Sequence, residues 1–288
     1  MADFDTDYSA VREGIAAVWL GRDVLRMEGP DAVSFLQGQL SQDVAAVAVG
    51  DSAWSFLLQP QGKVDALVRL TRTDDDEVVL DVDAGWGDAV LARLNRFKLR
   101  VKVEIEPLPW QCLAVRGITG SVVVVGGAVA VPAFGTGVDI LGDDVDVPEG
   151  VPVCSAEAYE VLRIEQGWPA MGRELTDKTI PAEAGIVERT VSFTKGCYTG
   201  QELVARIDSR GGNVPRHLRG VVVHGEAAAG TPVSVDGKEV GALTSVARSP
   251  SFPGATVALA YVHRDVEPGA TATVGEVTAE VRSLPLVP

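Results

Sequence analysis

Cysteine and histidine are scarce in this chain, and their spacing excludes several kinds of site. The 288 residues include three cysteines and three histidines, and no C-x-x-C pair occurs. Structural zinc sites and disulfide scaffolds need closely spaced or numerous cysteines, so neither is expected. An iron–sulfur cluster commonly takes four thiolates, or two thiolates and two histidines. We therefore expect no stable metal ion or cluster, although one thiol could act as a transient ligand.

Positive charge is also in deficit. The chain has 25 Lys and Arg against 40 Asp and Glu, a net charge of −15. Such a surface repels phosphate at long range, so direct binding of nucleic acid is not expected. One exception is the stretch 189–219, where six basic and two acidic residues give +4. It is either a solvated basic strip or a receptor for the carboxylates of an anionic ligand.

No segment is long and apolar enough to cross a membrane. The longest apolar run, Val122 to Val131, contains two glycines and falls short of the roughly 20 residues that a span requires. The acidic start of the chain lacks the basic and apolar regions of a signal peptide. We expect a cytoplasmic protein without membrane contact. A Rossmann or P-loop site is not indicated, because neither glycine pattern occurs in its required context.

Helices and strands alternate up to about residue 215, and only strands follow. Apolar periodicity and capping residues predict helices over 29–43, 86–98 and 155–166, the last capped by Ser155 and ended by Gly167. Strands are predicted over 53–58, 64–72, 78–82 and 101–105, with a break at the two prolines of 107–109. Further β structure is expected over 112–141, and 168–194 is expected to be irregular. After Leu218, short β-prone runs and the hairpin signal Asp236-Gly237 predict a small β-barrel.

The most informative feature is the octapeptide 195–202, Lys-Gly-Cys-Tyr-Thr-Gly-Gln-Glu. A cation near a thiol favours the thiolate, so Lys195 is expected to activate Cys197. The two residues would face opposite sides of a strand, so this mechanism needs a turn at Gly196. The alternative is that Cys197 is a buried, inert side chain, as lone cysteines often are.

The octapeptide resembles the signature of the YgfZ family, the folate-binding relatives of the glycine-cleavage T-protein (aminomethyltransferase). The match continues through Leu203 to Arg206. Weaker similarities occur in the expected order, at 35–43, 57–64, 163–169 and 180–183. The resemblance implies an α+β fold of T-protein type, with two α+β portions around a central channel and a C-terminal all-β barrel. The corresponding boundaries are 1–105, 106–215 with the octapeptide, and 216–288, and the first two portions can be interleaved.

The resemblance also implies particular site residues. In the T-protein group a glutamate of an Arg-x-Glu-x-Gly segment holds the pterin ring, and the matching positions are Arg163, Glu165 and Gly167. An Asp-Asp pair that includes the catalytic aspartate follows a glycine turn in that group, and Asp65 is the candidate here, at either the catalytic or the neighbouring position. One acid of the pair is replaced by alanine, Ala66, which argues against aminomethyl transfer. The octapeptide adds Lys195 and Cys197 as catalytic residues, and it extends the folate-binding set with Lys195, Tyr198, Gln201, Glu202 and Arg206.

Without the resemblance, Glu165 would be interpreted as an exposed glutamate at a helix end, where the helix dipole disfavours it.

Three functions remain open at this point. The first is a tetrahydrofolate-binding accessory protein that supports iron–sulfur cluster assembly or repair and, through it, tRNA modification. Its cofactor would be tetrahydrofolate or a one-carbon derivative, with or without a polyglutamate tail, and its partners iron–sulfur client or assembly proteins. The second is a folate-dependent one-carbon transferase that uses Asp65. The third is a thiol-based scaffold that does not bind folate. The family leads us to expect a monomer.

Overall fold

The computed structural model describes residues 3–117 and 128–287, which form three β-sheets and six α-helices. The helices are α1 Phe4–Glu13, α2 Ala32–Gln39, α3 Gly87–Phe97, α4 Ala156–Gln166, α5 Val187–Thr190 and α6 Gln201–Ser209. The strands of the first 150 residues are β1 Ala16–Leu20, β2 Arg22–Glu28, β3 Ser52–Leu58, β4 Val64–Asp74, β5 Glu77–Asp83, β6 Glu104–Leu108, β7 Gln111–Arg116, β8 Val129–Pro132 and β9 Gly137–Gly142. The remaining strands are β10 Arg216–Val223, β11 Pro232–Val235, β12 Lys238–Arg248, β13 Thr256–His263, β14 Thr271–Val274 and β15 Val277–Arg282.

The first two sheets are interleaved in sequence, because strands of one sheet lie between strands of the other along the chain. A five-stranded antiparallel sheet has the order β3-β4-β5-β2-β6, and a four-stranded sheet has the order β1-β7-β9-β8. β1 and β2 are consecutive in sequence but belong to different sheets. The predicted boundary between residues 105 and 106 falls inside β6. Because β6 is an edge strand paired only with β2, it tolerates Pro107, which has no N–H to donate.

Helix predictions succeed where the end signals are local. α4 begins after Ser155, whose side chain accepts a hydrogen bond from the Ala158 N–H, and it ends at Gly167 in the left-handed conformation. The helix predicted over 29–43 is shorter, because Leu40 leaves the helix and forms a β-bridge with Leu57. Predicted β structure over 112–141 is present as β7, β8 and β9. Most of the apolar run 122–131 lies outside the described residues.

The C-terminal strands close into a six-stranded antiparallel barrel, ordered β10-β13-β12-β11-β14-β15. The predicted Asp236-Gly237 hairpin joins β11 to β12, and both residues have positive φ (51° and 75°), as a type I′ turn requires. The last of the β-prone runs predicted after Leu218 is divided into β14 and β15 by a turn at Gly275. Valine and alanine fill the barrel interior, and α4 packs on the outside against β12 and β13.

Candidate functional site

A cavity of about 260 Å³ lies where the two sheets meet α4. Four aromatic side chains line it: Trp54 from β3, Phe134, Tyr159 from α4, and Trp168. The Trp54 and Trp168 ring centroids are 4.9 Å apart. Phe134 stacks on Trp168 with centroids 5.9 Å apart and contacts Tyr159 with centroids 5.3 Å apart. This arrangement suits a flat, aromatic ligand, because ring faces favour offset stacking.

Buried ion pairs lie next to the cavity and join the two sheets. Arg69 of β4 contacts both oxygens of Asp81, each at 2.9 Å, and its Nη1 lies 2.7 Å from Asp139 of β9. Arg116 of β7 donates to the other oxygen of Asp139 at 2.9 Å. Burial works to raise the pKa of Asp139, but Arg116 and Arg69 outweigh it and hold that pKa below its ordinary value. The network contacts three of the aromatic rings, since Arg69 lies 4.9 Å from the Trp54 centroid and Arg116 lies 5.1 Å from the centroids of Phe134 and Tyr159.

Two buried donors of residues that line the cavity make no hydrogen bond within residues 3–117 and 128–287, Trp54 Nε1 and Arg22 Nη2. Arg22 Nη2 lies 2.6 Å from an Asp81 oxygen, so its charge is paired. Leaving the Trp54 donor unsatisfied is costly in free energy. Because this atom is buried, it does not face the open space of the cavity.

Arg163 also lines this cavity, but its positive charge is already paired with carboxylates of the protein. Its guanidinium donates to Glu160 at 2.7 and 2.9 Å, to Glu174 at 3.1 Å and to Ser245 of the barrel at 2.7 Å. Glu174 in turn accepts from Ser245 at 2.6 Å. Arg163 therefore shapes the cavity wall and ties α4 to the barrel.

Glu165 does not line this cavity, and its predicted role in holding the pterin ring stays a prediction. Its side chain is fully buried. One carboxylate oxygen accepts hydrogen bonds from the Tyr8 hydroxyl at 2.7 Å and from the Ser249 hydroxyl. The other oxygen lies 3.0 Å from Arg12 Nη1. The interpretation of Glu165 as an exposed glutamate is wrong, because its buried side chain joins α1, α4 and the barrel. Gly167 serves as the helix C-cap.

The octapeptide is a loop followed by the first turn of α6, and it packs against the end of α2. Lys195 is buried, and its Nζ donates to three backbone carbonyls: Gln37 at 2.8 Å, Leu40 at 2.8 Å and Gln42 at 2.7 Å. Burial lowers the pKa of Lys195 to about 8, although Asp43 acts in the opposite direction. An ammonium group has three donors, so none remains for a thiolate.

The turn before β4 packs against the same loop through two glycines. Gly62 and Gly200 both have φ of +81°. A Cβ on Gly200 would lie 2.5 Å from the Gln59 carbonyl oxygen, and one on Gly62 would lie 2.5 Å from the Leu203 Cβ. Three of the segments that carry the YgfZ resemblance thus meet at one place: 35–43, 57–64 and the octapeptide.

Asp65 lines a second cavity, of about 400 Å³, together with Trp86, Val90 and Asp177. Its carboxylate is paired with Arg93, whose Nε lies 3.1 Å from Oδ2. Arg93 also donates to the Gln39 side chain at 3.2 Å. Asp65 therefore faces a cavity with its charge partly neutralised.

The chain resembles known proteins over its barrel and over its whole length. Residues 216–287 match the family described as the glycine cleavage T-protein C-terminal barrel domain. A crystal structure of the glycine cleavage system aminomethyltransferase T from Bartonella henselae superposes with a TM-score of 0.84. It covers 99% of this chain and 89% of that one at 20% identity, which shows the fold alone.

Two relatives are closer in sequence. An uncharacterized protein of Haemophilus influenzae is 30% identical over 196 residues, 66% of this chain and 67% of that protein. A tRNA-modifying protein YgfZ of Vibrio vulnificus is 30% identical over 213 residues, 66% of this chain and 64% of that protein. The chain belongs to the YgfZ/T-protein-like family. The predicted fold class is confirmed: mixed α and β portions with a C-terminal barrel.

The family octapeptide does not bring Lys195 and Cys197 together as a hydrogen-bonded pair. The segment is a loop and not a strand, so the condition that the thiol-activation mechanism sets is met. Lys195 nevertheless points inward, while Cys197 is exposed. The alternative of a buried, inert Cys197 is wrong for the same reason. Cys112 and Cys154 are the buried thiols, and burial raises the pKa of Cys112 to about 12.

The other octapeptide residues divide into buried and exposed groups. Tyr198 is buried, and the Lys195 ammonium lies 5.1 Å from the centroid of the Tyr198 ring. The Gln201 side chain accepts a hydrogen bond from the Tyr198 backbone N–H at 3.3 Å. Glu202 and Arg206 are exposed and pair with each other at 2.7 Å across one turn of α6. No contact places these four residues at the aromatic cavity, so their predicted role in binding folate stays a prediction.

The basic stretch 189–219 is not a free receptor for anions. Arg189 stacks on Trp168 at 4.7 Å, and Arg216 pairs with Glu183 at 3.1 Å. Together with Lys195 and Arg206, most of its charges already have partners in the protein.

Sequence reasoning missed most of the aromatic cavity. Of the predicted site residues, only Arg163 lines it. Trp168 belongs to a segment that carries the family resemblance. A tryptophan is one of only five in the 288 residues, so Trp168 could have been predicted as a site residue. Within the described residues, no group of three or more His, Cys, Asp or Glu could hold a metal ion, and no helix is long and apolar enough to span a bilayer.

Proposed function

We propose that this chain is a cytoplasmic, monomeric tetrahydrofolate-binding accessory protein that supports the assembly or repair of iron–sulfur proteins and, through them, tRNA modification. The observation that carries the folate part is the cavity lined by four aromatic side chains. The aminomethyltransferase and YgfZ relatives support the same ligand class by kinship.

The cavity residues fit a pterin ring. Trp54, Phe134, Tyr159 and Trp168 offer ring faces for stacking. Asp83 and Glu160 also line the cavity. Each already accepts from an arginine, Arg22 and Arg163 respectively, but a carboxylate has four lone-pair sites and can also accept an N–H group of an aminopyrimidine edge. Bound tetrahydrofolate would supply nitrogens that carry a one-carbon unit.

The iron–sulfur part of the proposal rests on Cys197. Among the described residues it is the exposed cysteine, and it lies in the family octapeptide. An accessible thiol can exchange with disulfides or act as one transient metal ligand. An indirect effect on tRNA is consistent with a net charge of −15, which opposes direct RNA binding.

Calorimetric titration with tetrahydrofolate under reducing conditions tests the folate part. Trp168→Ala removes one ring face from the cavity, and losing a stacking interaction of about 0.5–1.5 kcal/mol should weaken binding by about 2- to 13-fold. Trp19→Ala is the matched control, because Trp19 is 40% exposed and outside the cavity. No binding by the wild type would remove folate and favour the thiol-scaffold reading.

The iron–sulfur part needs a separate test in cells that lack the protein. Wild type should restore the activity of an iron–sulfur dehydratase after oxidative stress, and Cys197→Ser should not. Cys154→Ser, which alters a buried thiol, is the control. Full rescue by Cys197→Ser would overturn the role of this thiol.

A one-carbon transferase is the second candidate, and the cavity beside Asp65 favours it. The test is turnover of a one-carbon donor amine with tetrahydrofolate by wild type and Asp65→Asn. Turnover that Asp65→Asn abolishes would establish the transferase. No turnover in either protein would agree with the pairing of Asp65 to Arg93 and with the accessory function.

A further inference from the structure

The end of α2 leaves carbonyl groups that the helix cannot satisfy. The last four carbonyls of an α-helix have no partner within it. Here the partners come from more than 150 residues further along the chain. Lys195 takes the carbonyl of Gln37, and the backbone N–H of Thr199 takes that of Gly38 at 3.1 Å. The octapeptide therefore forms the C-terminal cap of α2.

The Lys195 ammonium suits this position for two reasons. Its three N–H donors match three carbonyls at 2.7 to 2.8 Å, those of Gln37, Leu40 and Gln42. A positive charge is also favoured at a helix C-terminus, where the dipole is negative. The ammonium is thus committed to backbone oxygens.

Adjacent residues extend the same junction. The Ser192 N–H donates to the Ser41 carbonyl at 3.0 Å, and the Ser41 hydroxyl donates to the Thr190 carbonyl at 2.6 Å. Lys195 and Tyr198 are both buried, while Cys197 between them is exposed. The thiol is therefore held at the surface by an anchor on either side.

We propose that Lys195 is a positioning residue, which locks the Cys197 loop onto the end of α2, and that its charge serves the carbonyls at and just beyond that helix end rather than the thiol. The proposal builds on the proposed role of Cys197, but it concerns the folded protein alone. Its consequence is that removing the ammonium loosens the loop without changing the acidity of the thiol.

Two measurements on the purified protein, without folate or a partner, test this. Amide hydrogen exchange at Ser192 and Thr199 reports the junction, and the pH dependence of Cys197 alkylation by iodoacetamide reports the thiol. Lys195→Met should speed exchange at both amides by at least about tenfold, the effect of losing 1.4 kcal/mol. The alkylation midpoint should move by less than about 0.5 pH unit, whereas losing a cation in contact with a thiolate would move it by about 1–3 units.

Two more variants keep the charge. Lys195→Arg lacks the compact three-donor geometry, so exchange should again speed up. Ser41→Ala removes the bond to Thr190 and leaves Lys195 intact, so exchange at Ser192 should rise while the alkylation midpoint stays the same. If Lys195→Met unfolds the chain, Ser41→Ala and Lys195→Arg decide the matter.

A midpoint raised by 1–3 units in Lys195→Met, with unchanged exchange in all variants, would overturn the proposal. Failure of the wild type to bind folate would leave both measurements unaffected, so the two proposals fail separately.

Discussion

Replacing Glu165 with alanine separates a structural anchor from a ligand-binding residue. The side chain is fully buried and accepts hydrogen bonds from Tyr8, Ser249 and Arg12. Removing one partner of a buried ion pair typically costs 3–5 kcal/mol. Tyr8 keeps its bond to Ser251 at 2.7 Å, and Arg12 is 15% exposed and can reach water. We therefore expect the lower end, about 3 kcal/mol, from a total stability of typically 5–15 kcal/mol.

The assay is urea unfolding of wild type and Glu165→Ala, monitored by tryptophan fluorescence and by far-UV circular dichroism. The midpoint should fall by roughly 1–3 M, since slopes are about 1–3 kcal/mol per M. Glu202→Ala is the matched control: its side chain is 86% exposed, so its effect should stay within about 0.5 kcal/mol. If Glu165→Ala lost less than about 1 kcal/mol while tetrahydrofolate affinity fell more than tenfold, the anchor interpretation would be refuted and the pterin-holding role restored.

Other residues give three more tests. Gly200→Ala should destabilise the protein by about 1–3 kcal/mol more than Gly211→Ala, because both glycines have positive φ but a Cβ on Gly211 meets open space; equal urea midpoints would contradict the packing of the loop. Asp139→Asn should cost about 3–5 kcal/mol at pH 7. The folded-state pKa of Asp139 is lowered, so its contribution is present above about pH 4 and is lost as pH falls through that lowered pKa, where the two unfolding curves should converge. At pH 8, mass spectrometry should find Cys197 alkylated at least about a hundredfold faster than Cys112, whose pKa is about 12; similar rates would contradict the burial of Cys112.

The candidate site shows where sequence reasoning stops. The Arg-x-Glu-x-Gly segment led to Arg163, which does line the aromatic cavity, and to Glu165, which does not. The two residues are separated by one position on α4, so they point in different directions from the helix. The sequence interval cannot say which direction faces a cavity and which faces α1 and the barrel. Trp54 and Phe134 carried no local signal, because their partners come from other segments.

Features that depend on near neighbours could be predicted from the sequence alone. Ser155 and Gly167 set the ends of α4, and Asp236-Gly237 set a hairpin, because caps and tight turns are satisfied within a few residues. The partners of the buried charged groups, by contrast, depend on the tertiary fold. Glu165 meets Tyr8 across 157 residues, and Lys195 meets the Gln37 carbonyl across 158. A buried charge must find partners wherever the fold brings them, and no local sequence pattern could name the partners of Glu165 or of Lys195.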